Sequence, residues 1–193
     1  MDYDNDGWKD LLIAQGHDLD TIEKSFPQLH YREPMMLLRN AGGSFVDVSS
    51  MSGFQQAWVG RGMAIGDIYN DGKLDAVVST NGGPAHILRN ETPTNNHWLE
   101  LKLVGHKSNR DGIGAVVTVT TSRGSQSATV TTSSGYLSSG DPRVHFGLDA
   151  DTFAQSVEIQ WPSGIVQVLK DVSGDRILQV DEPAPNVPVL PKR

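Results

Sequence analysis

The chain has 193 residues, 37% of them hydrophobic, with 20 glycines, ten prolines and no cysteine. It is long enough to bury a core, and the lack of cysteine excludes disulfides, thiolate zinc sites and a cysteine nucleophile. The formal charge of -7 comes from 23 acids against 16 bases, with no basic stripe to follow nucleic acid and no apolar run near the roughly 18 residues that span a bilayer.

The acidity is local. MDYDNDGWKDLLI opens the chain with Asp2, Asp4, Asp6 and Asp10, and GDIYNDGKLDAVV repeats most of the pattern at Asp67, Asp71 and Asp75. With those seven aspartates set aside, 16 acids face 16 bases, which points to cation sites and not to a broad acidic surface. Ca²⁺ takes six to eight oxygens at about 2.3 to 2.6 Å, and a turn with oxygens at alternate positions can wrap it. In the first loop these are Asp2, Asp4, Asp6, the carbonyl of Trp8 and Asp10, with Gly7 allowing the bend. In the second, Tyr69 stands where the second carboxylate belongs, leaving Asp67, Asp71, the Lys73 carbonyl and Asp75 as a weaker set. Asp, Asn and Gly also form turns without metal, so a bare hairpin is the alternative.

Aligning the loops exposes an internal repeat. LLIAQG and MLLRN follow the first loop and AVVSTNG and HILRN the second, with QGHDLDTIEKSFPQLHYREP as a surface insertion in the first unit. Each unit reads as short strands around an acidic turn, the pattern of a propeller blade. Gly62–Gly66 leads into the second turn, whereas only Met1 holds that place in the first unit. Two blades would leave open edges, so the expectation is the C-terminal part of a longer protein with blades upstream.

From about Asn95 the pattern changes. Strands are expected at Trp98–Val104, Ala115–Thr121, Ala128–Thr132, Val144–Leu148, Val157–Trp161, Ile165–Leu169 and Ile177–Val180, a spacing that fits a small β-sandwich or barrel. The tail at 183–193 is Pro-rich and reads as extended. The predicted class is therefore all-β: a partial propeller of about two blades over 1–94, then a small sandwich-like or barrel-like domain over 95–182.

Ser138, Ser139, Asp141, Arg143 and His145, near Tyr136, form the most catalytic-looking cluster. A strand puts Arg143 and His145 on one face and Val144 and Phe146 on the other, as any half-buried strand would. Tyr136, Trp98 and Trp161 could stack on sugars, but tryptophan in alternating strands is more often core. RDGIGA lacks the lysine and spacing of a phosphate loop, and the scattered histidines form no zinc pair. Asn90-Glu91-Thr92 has the form of a glycosylation acceptor, a motif common by chance.

DYDNDGWKDLLIAQG, GDIYNDGKLDAVVSTNG, the LLRN and ILRN endings and GGSFVDVSSMSGF resemble the FG-GAP or VCBS repeat of integrin-α-type propellers. NHWLELKLVG, SNRDGIGAVVTV, SSGYLSSGDPRVHFGL and VEIQWPSGIVQVL resemble the ASPIC/UnbV domain. The resemblance implies an exported protein, extracellular or periplasmic, with Ca²⁺ held at Asp2, Asp4, Asp6, Trp8 and Asp10 and less surely in the second loop. The expected function is a non-catalytic module for adhesion or binding of a protein or glycan. A hydrolase of carbohydrate or ester, or a structural cap on the last blade, are the rivals.

Overall fold

The computed structural model describes residues 1–133 and 135–184. The Pro-rich tail lies outside the described residues from position 185 on. The first unit builds β1 (Leu11–Ile13), a short helix α1 (Ile22–Ser25), β2 (Glu33–Pro34), β3 (Met36–Asn40) and β4 (Phe45–Asp47), with β1-β3-β4 as one antiparallel sheet. The inserted segment folds back: Ile22 of α1 is buried, and β2 pairs with β5 (Ala57–Trp58). Arg61 then pins the insertion by donating to the carbonyls of Gly16 and His17 at 2.9 and 2.8 Å.

The second unit gives β6 (Gly60–Gly66), β7 (Asp75–Thr80) and β8 (His86–Leu88), again antiparallel. β7 and β8 correspond to β1 and β3. Gly66 at the end of β6 pairs with Asp75, and Met1 takes the matching place in the first unit: Asp10 N donates to Met1 O at 2.5 Å.

Seven strands follow: β9 (His97–Val104), β10 (Val116–Thr121), β11 (Gly124–Thr129), β12 (Val144–Asp149), β13 (Phe153–Gln160), β14 (Val166–Ser173) and β15 (Arg176–Asp181). They form two sheets, β11-β10-β13-β14 and β12-β9-β15, with β15 parallel to β9. Alternation selects the inward residues. Val117 and Val119 of β10 and Val157 and Ile159 of β13 meet Leu99, Leu101, Phe146 and Leu148 of the other sheet in one core. This is an open sandwich, and it corrects the barrel alternative. β11 also lies earlier than the Ala128–Thr132 expected for it. Its sequence, GSQSAT, is polar because it is an edge strand, and its register on β10 is set by the tight turn at Ser122-Arg123 and not by apolar alternation.

Glu182 closes the sandwich. Its Oε2 accepts the amides of His106, Lys107 and Ser108 at 2.8, 2.8 and 2.7 Å, and its Oε1 accepts the hydroxyls of Ser108 and Ser163. Burial alone would raise its pKa, but the Ser163 hydroxyl and these amides outweigh it and hold it down at about 2. Among the described residues no helix is long and apolar enough to cross a membrane.

Candidate metal centre

The two acidic loops are built alike, 65 positions apart. Asn5 and Asn70 take positive φ of 59° and 55°, and Gly7 and Gly72 take 88° and 81°. Asp2 Oδ2 accepts the Gly7 amide at 3.0 Å as Asp67 Oδ2 accepts that of Gly72 at 2.8 Å. Asp10 accepts the amides of Tyr3 and Asn40, and Asp75 those of Ile68 and Asn90. The last carboxylate of each loop therefore ties the turn to the strand that ends in Leu-Arg-Asn. Carboxylates are acceptors only, so they satisfy turn amides that no strand partner reaches.

The loops differ in what they leave over. In the second, Asp67 Oδ1 accepts the Asp71 amide at 3.0 Å, so both oxygens of Asp67 and of Asp75 have backbone partners. In the first, Asp2 Oδ1, Asp4 Oδ1 and Asn5 Oδ1 are buried with no hydrogen-bond partner. Asp2, Asp4 and Asp10 converge with one oxygen of each lying within 4.8 Å of the others. Burial, and the neighbouring Asp6 and Asp10 carboxylates, push the Asp2 pKa up to about 7 against the opposing pull of Lys9. Three converging buried carboxylates, two of them, Asp2 and Asp4, with an oxygen to spare, and a surplus of negative charge fit a hard divalent cation.

Asp6 is not among the converging oxygens. Its Oδ1 accepts the Trp8 amide at 2.9 Å, and its Oδ2 accepts Arg39 Nη2 at 2.8 Å, while Arg39 Nε holds Asp4 Oδ2 at 2.9 Å. In the second loop Asp71 Oδ1 likewise caps the Lys73 amide, and Asp67, Asp71 and Asp75 form no comparable group among the described residues. Arg39 was not singled out from the sequence, although its place in the repeated LLRN and ILRN endings was visible.

The catalytic-looking cluster belongs to the seam between blades and sandwich. Ser138 Oγ accepts the Met63 amide at 2.8 Å and donates to Tyr136 O, and the Asp141 amide donates to Ile65 O, so this segment runs along the edge of β6. Arg143 donates to Asp67 O, Asn70 Oδ1 and Asp141 Oδ2 at 2.7 to 2.8 Å. Its Nη1 also stands 2.9 Å from Glu100 Oε2, but out of hydrogen-bond alignment, so both Glu100 oxygens remain unpartnered. Burial lifts Glu100 to about 7 against the pull of Arg143. His145 Nε2 meets Gly72 O at 3.1 Å, and burial holds its pKa down at about 3, so the ring is neutral and donates. Trp98 lies parallel to His145 and over Gly72, leaving no room there for a Cβ. The expectation of a core tryptophan holds for Trp161, which is 3% exposed, and fails for Trp98, because the blade loops and not the sandwich interior cover its ring.

Residues 2–78 match the model of the FG-GAP-like repeat, and residues 105–187 that of ASPIC and UnbV. β9, the central strand of its sheet, precedes the second match. The chain is similar to cartilage acidic protein 1 of Homo sapiens, at 32% identity over 120 residues, and to its counterparts in Xenopus tropicalis and Mus musculus, at 33% over 109 residues. These matches cover 60% of this chain for the human protein and 54% for the other two, but only 18%, 16% and 17% of those proteins. The chain thus spans less than a fifth of the length of these relatives.

Proposed function

Because this chain joins FG-GAP-like repeats to an ASPIC/UnbV region, we propose that it is a non-catalytic, Ca²⁺-binding module of an extracytoplasmic protein, serving adhesion or the binding of a protein or glycan. One observation carries the cation: Asp2 Oδ1 and Asp4 Oδ1 are buried, unpartnered and gathered with Asp10. Asp2, Asp4 and Asp10 hold the ion, with the carbonyl of Trp8 left to complete the shell and Asp6 joining it only by releasing Arg39, and the second loop is a weaker site at Asp67, Asp71, Lys73 and Asp75. Bound there, Ca²⁺ supplies positive charge and rigidity, not an activated water. The relatives' name refers to cartilage, which supports a location outside the cytoplasm.

The hydrolase alternative has less to stand on. The hydroxyl of Ser138 and the Nε2 of His145 are each engaged by the blades, so neither is paired as nucleophile and base. The structural-cap reading has direct support in the contacts of Ser138 and Asp141 along β6.

The test is a thermal melt with Ca²⁺ and with excess EDTA. At about 100 times its dissociation constant a ligand of the folded state adds roughly 2.7 kcal/mol, a shift of several degrees. Asp2→Asn should abolish the shift, and no shift in the wild-type chain would sink the cation reading. An array of glycans and extracellular proteins then separates the rest: Ca²⁺-dependent binding supports the module, and no binding to any of them leaves the cap.

A further inference from the structure

Both acidic loops are seated on the outer face of β12 and β9. The first loop meets β12 where its register shifts between Gly147 and Asp149, a bulge that carries Asp149 at a positive φ of 52°. That bulge aims the Asp149 amide at Asn5 O, 2.9 Å away. The Asn5 side chain donates to Gly72 O at 3.0 Å, the same carbonyl that His145 approaches. A Cβ on Gly147 would stand 2.6 Å from the Cα and carbonyl carbon of Asn5 and would run into Asp2 Oδ2. Phe146 and Leu148 point into the sandwich core, so Gly147 faces the loop.

We infer that the first acidic loop is a latch between blades and sandwich, in which cation occupancy at Asp2 and Asp4 and the seating of β12 on that loop favour each other. The inference rests on the reading of this loop as a cation site. Its physical basis is the set of buried oxygens. With β12 seated and no cation, Asp2 Oδ1, Asp4 Oδ1 and Asn5 Oδ1 have lost water and gained no partner, which opposes seating. With β12 lifted, Asn5 loses the Asp149 amide that fixes its carbonyl and keeps only its bond to Gly72 O, so the left-handed turn is held less firmly and the carboxylates of Asp2 and Asp4 are freer to repel one another apart. A cation offsets the first penalty, and seating removes the second. Linkage requires that each raise the other's equilibrium constant by the same factor.

The experiment uses the full chain. Hydrogen exchange at the Asp149 amide reports seating, and calorimetric titration with Ca²⁺ reports affinity. Saturating Ca²⁺ should slow exchange at Asp149 in the wild-type chain and leave it unchanged in Asp2→Asn. Gly147→Val, whose side chain fits a strand but not the loop, should weaken Ca²⁺ binding by about tenfold or more with every carboxylate intact. His145→Ala, which removes a contact to Gly72 and no core atom, should weaken it in the same direction and serves if Gly147→Val does not fold. Ca²⁺ binding with no effect on Asp149 exchange in the wild-type chain would overturn the latch and spare the cation site. An absence of Ca²⁺ binding would overturn both.

Discussion

Arg39 and Arg89 hold matching places in the Leu-Arg-Asn endings of the two repeats, yet they meet different partners. Arg39 bridges Asp4 and Asp6. Arg89 lies 4.4 Å over the ring of Tyr69, the residue that replaces the second carboxylate, and its Nη2 reaches Asp71 at 3.7 Å. Tyr69 in the place of a carboxylate turns an ion pair into a cation–π contact and leaves the second loop one carboxylate short.

Tyr69→Asp should reverse that change. With the ring gone, Arg89 is free to pair with the new carboxylate, which also completes the alternate-oxygen pattern, so a calorimetric titration should show the second Ca²⁺ event tightening by about tenfold. An unchanged second event would mean that the backbone amides on Asp67 and Asp75 govern that loop.

Gly72 and Gly82 both have positive φ, 81° and 68°, but only Gly72 lies under a ring. Nothing stands within 4 Å of a Cβ on Gly82. Gly82→Ala should therefore cost only the left-handed strain, about 1 to 2 kcal/mol in urea unfolding, and Gly72→Ala more than about 3 kcal/mol because Trp98 must also move. Equal costs would mean that the Trp98 contact yields freely.

Glu182 titrates in acid. Its folded pKa of about 2 lies below the ordinary carboxylate value, so its contribution is complete above about pH 4.5 and is lost as the pH falls towards 2. Glu182→Gln should lower stability at pH 7 by about 2 kcal/mol and flatten that acid limb in urea melts. A wild-type acid limb in the variant would show that other carboxylates carry it.

Glu100 acts in the opposite sense. Its folded pKa is raised to about 7, so the native state binds the proton more tightly than the unfolded chain. Stability from this group is complete below about pH 4.5 and falls as the pH rises towards 7, by on the order of 3 kcal/mol. Glu100→Gln should remove that decline, measured by urea unfolding between pH 5 and 8. If the variant instead loses stability at pH 7, the ion pair with Arg143 outweighs the burial.

The repeat and its turns were legible because their contacts are local. Asp2, Gly7 and Asp10 close their turn within nine positions, and the same residues recur 65 positions later at Asp67, Gly72 and Asp75. The sandwich core was legible from alternation at Leu99, Leu101, Val117, Val119, Val157 and Ile159. The polar edge strand β11 carried no such signal, and its position had to come from its neighbour's register.

By itself, the sequence determined which loops gather carboxylates and which strands bury one face, since both depend on spacing along the chain. Only the tertiary structure decided that Asp6 belongs to Arg39 and not to the converging oxygens, that Arg143 and His145 serve the seam, and that Gly147 must be bare beside Asp2. Those contacts join residues 33 to 145 positions apart. No periodicity encodes them, because they arise only when segments far apart in the chain pack together and exclude water from each other.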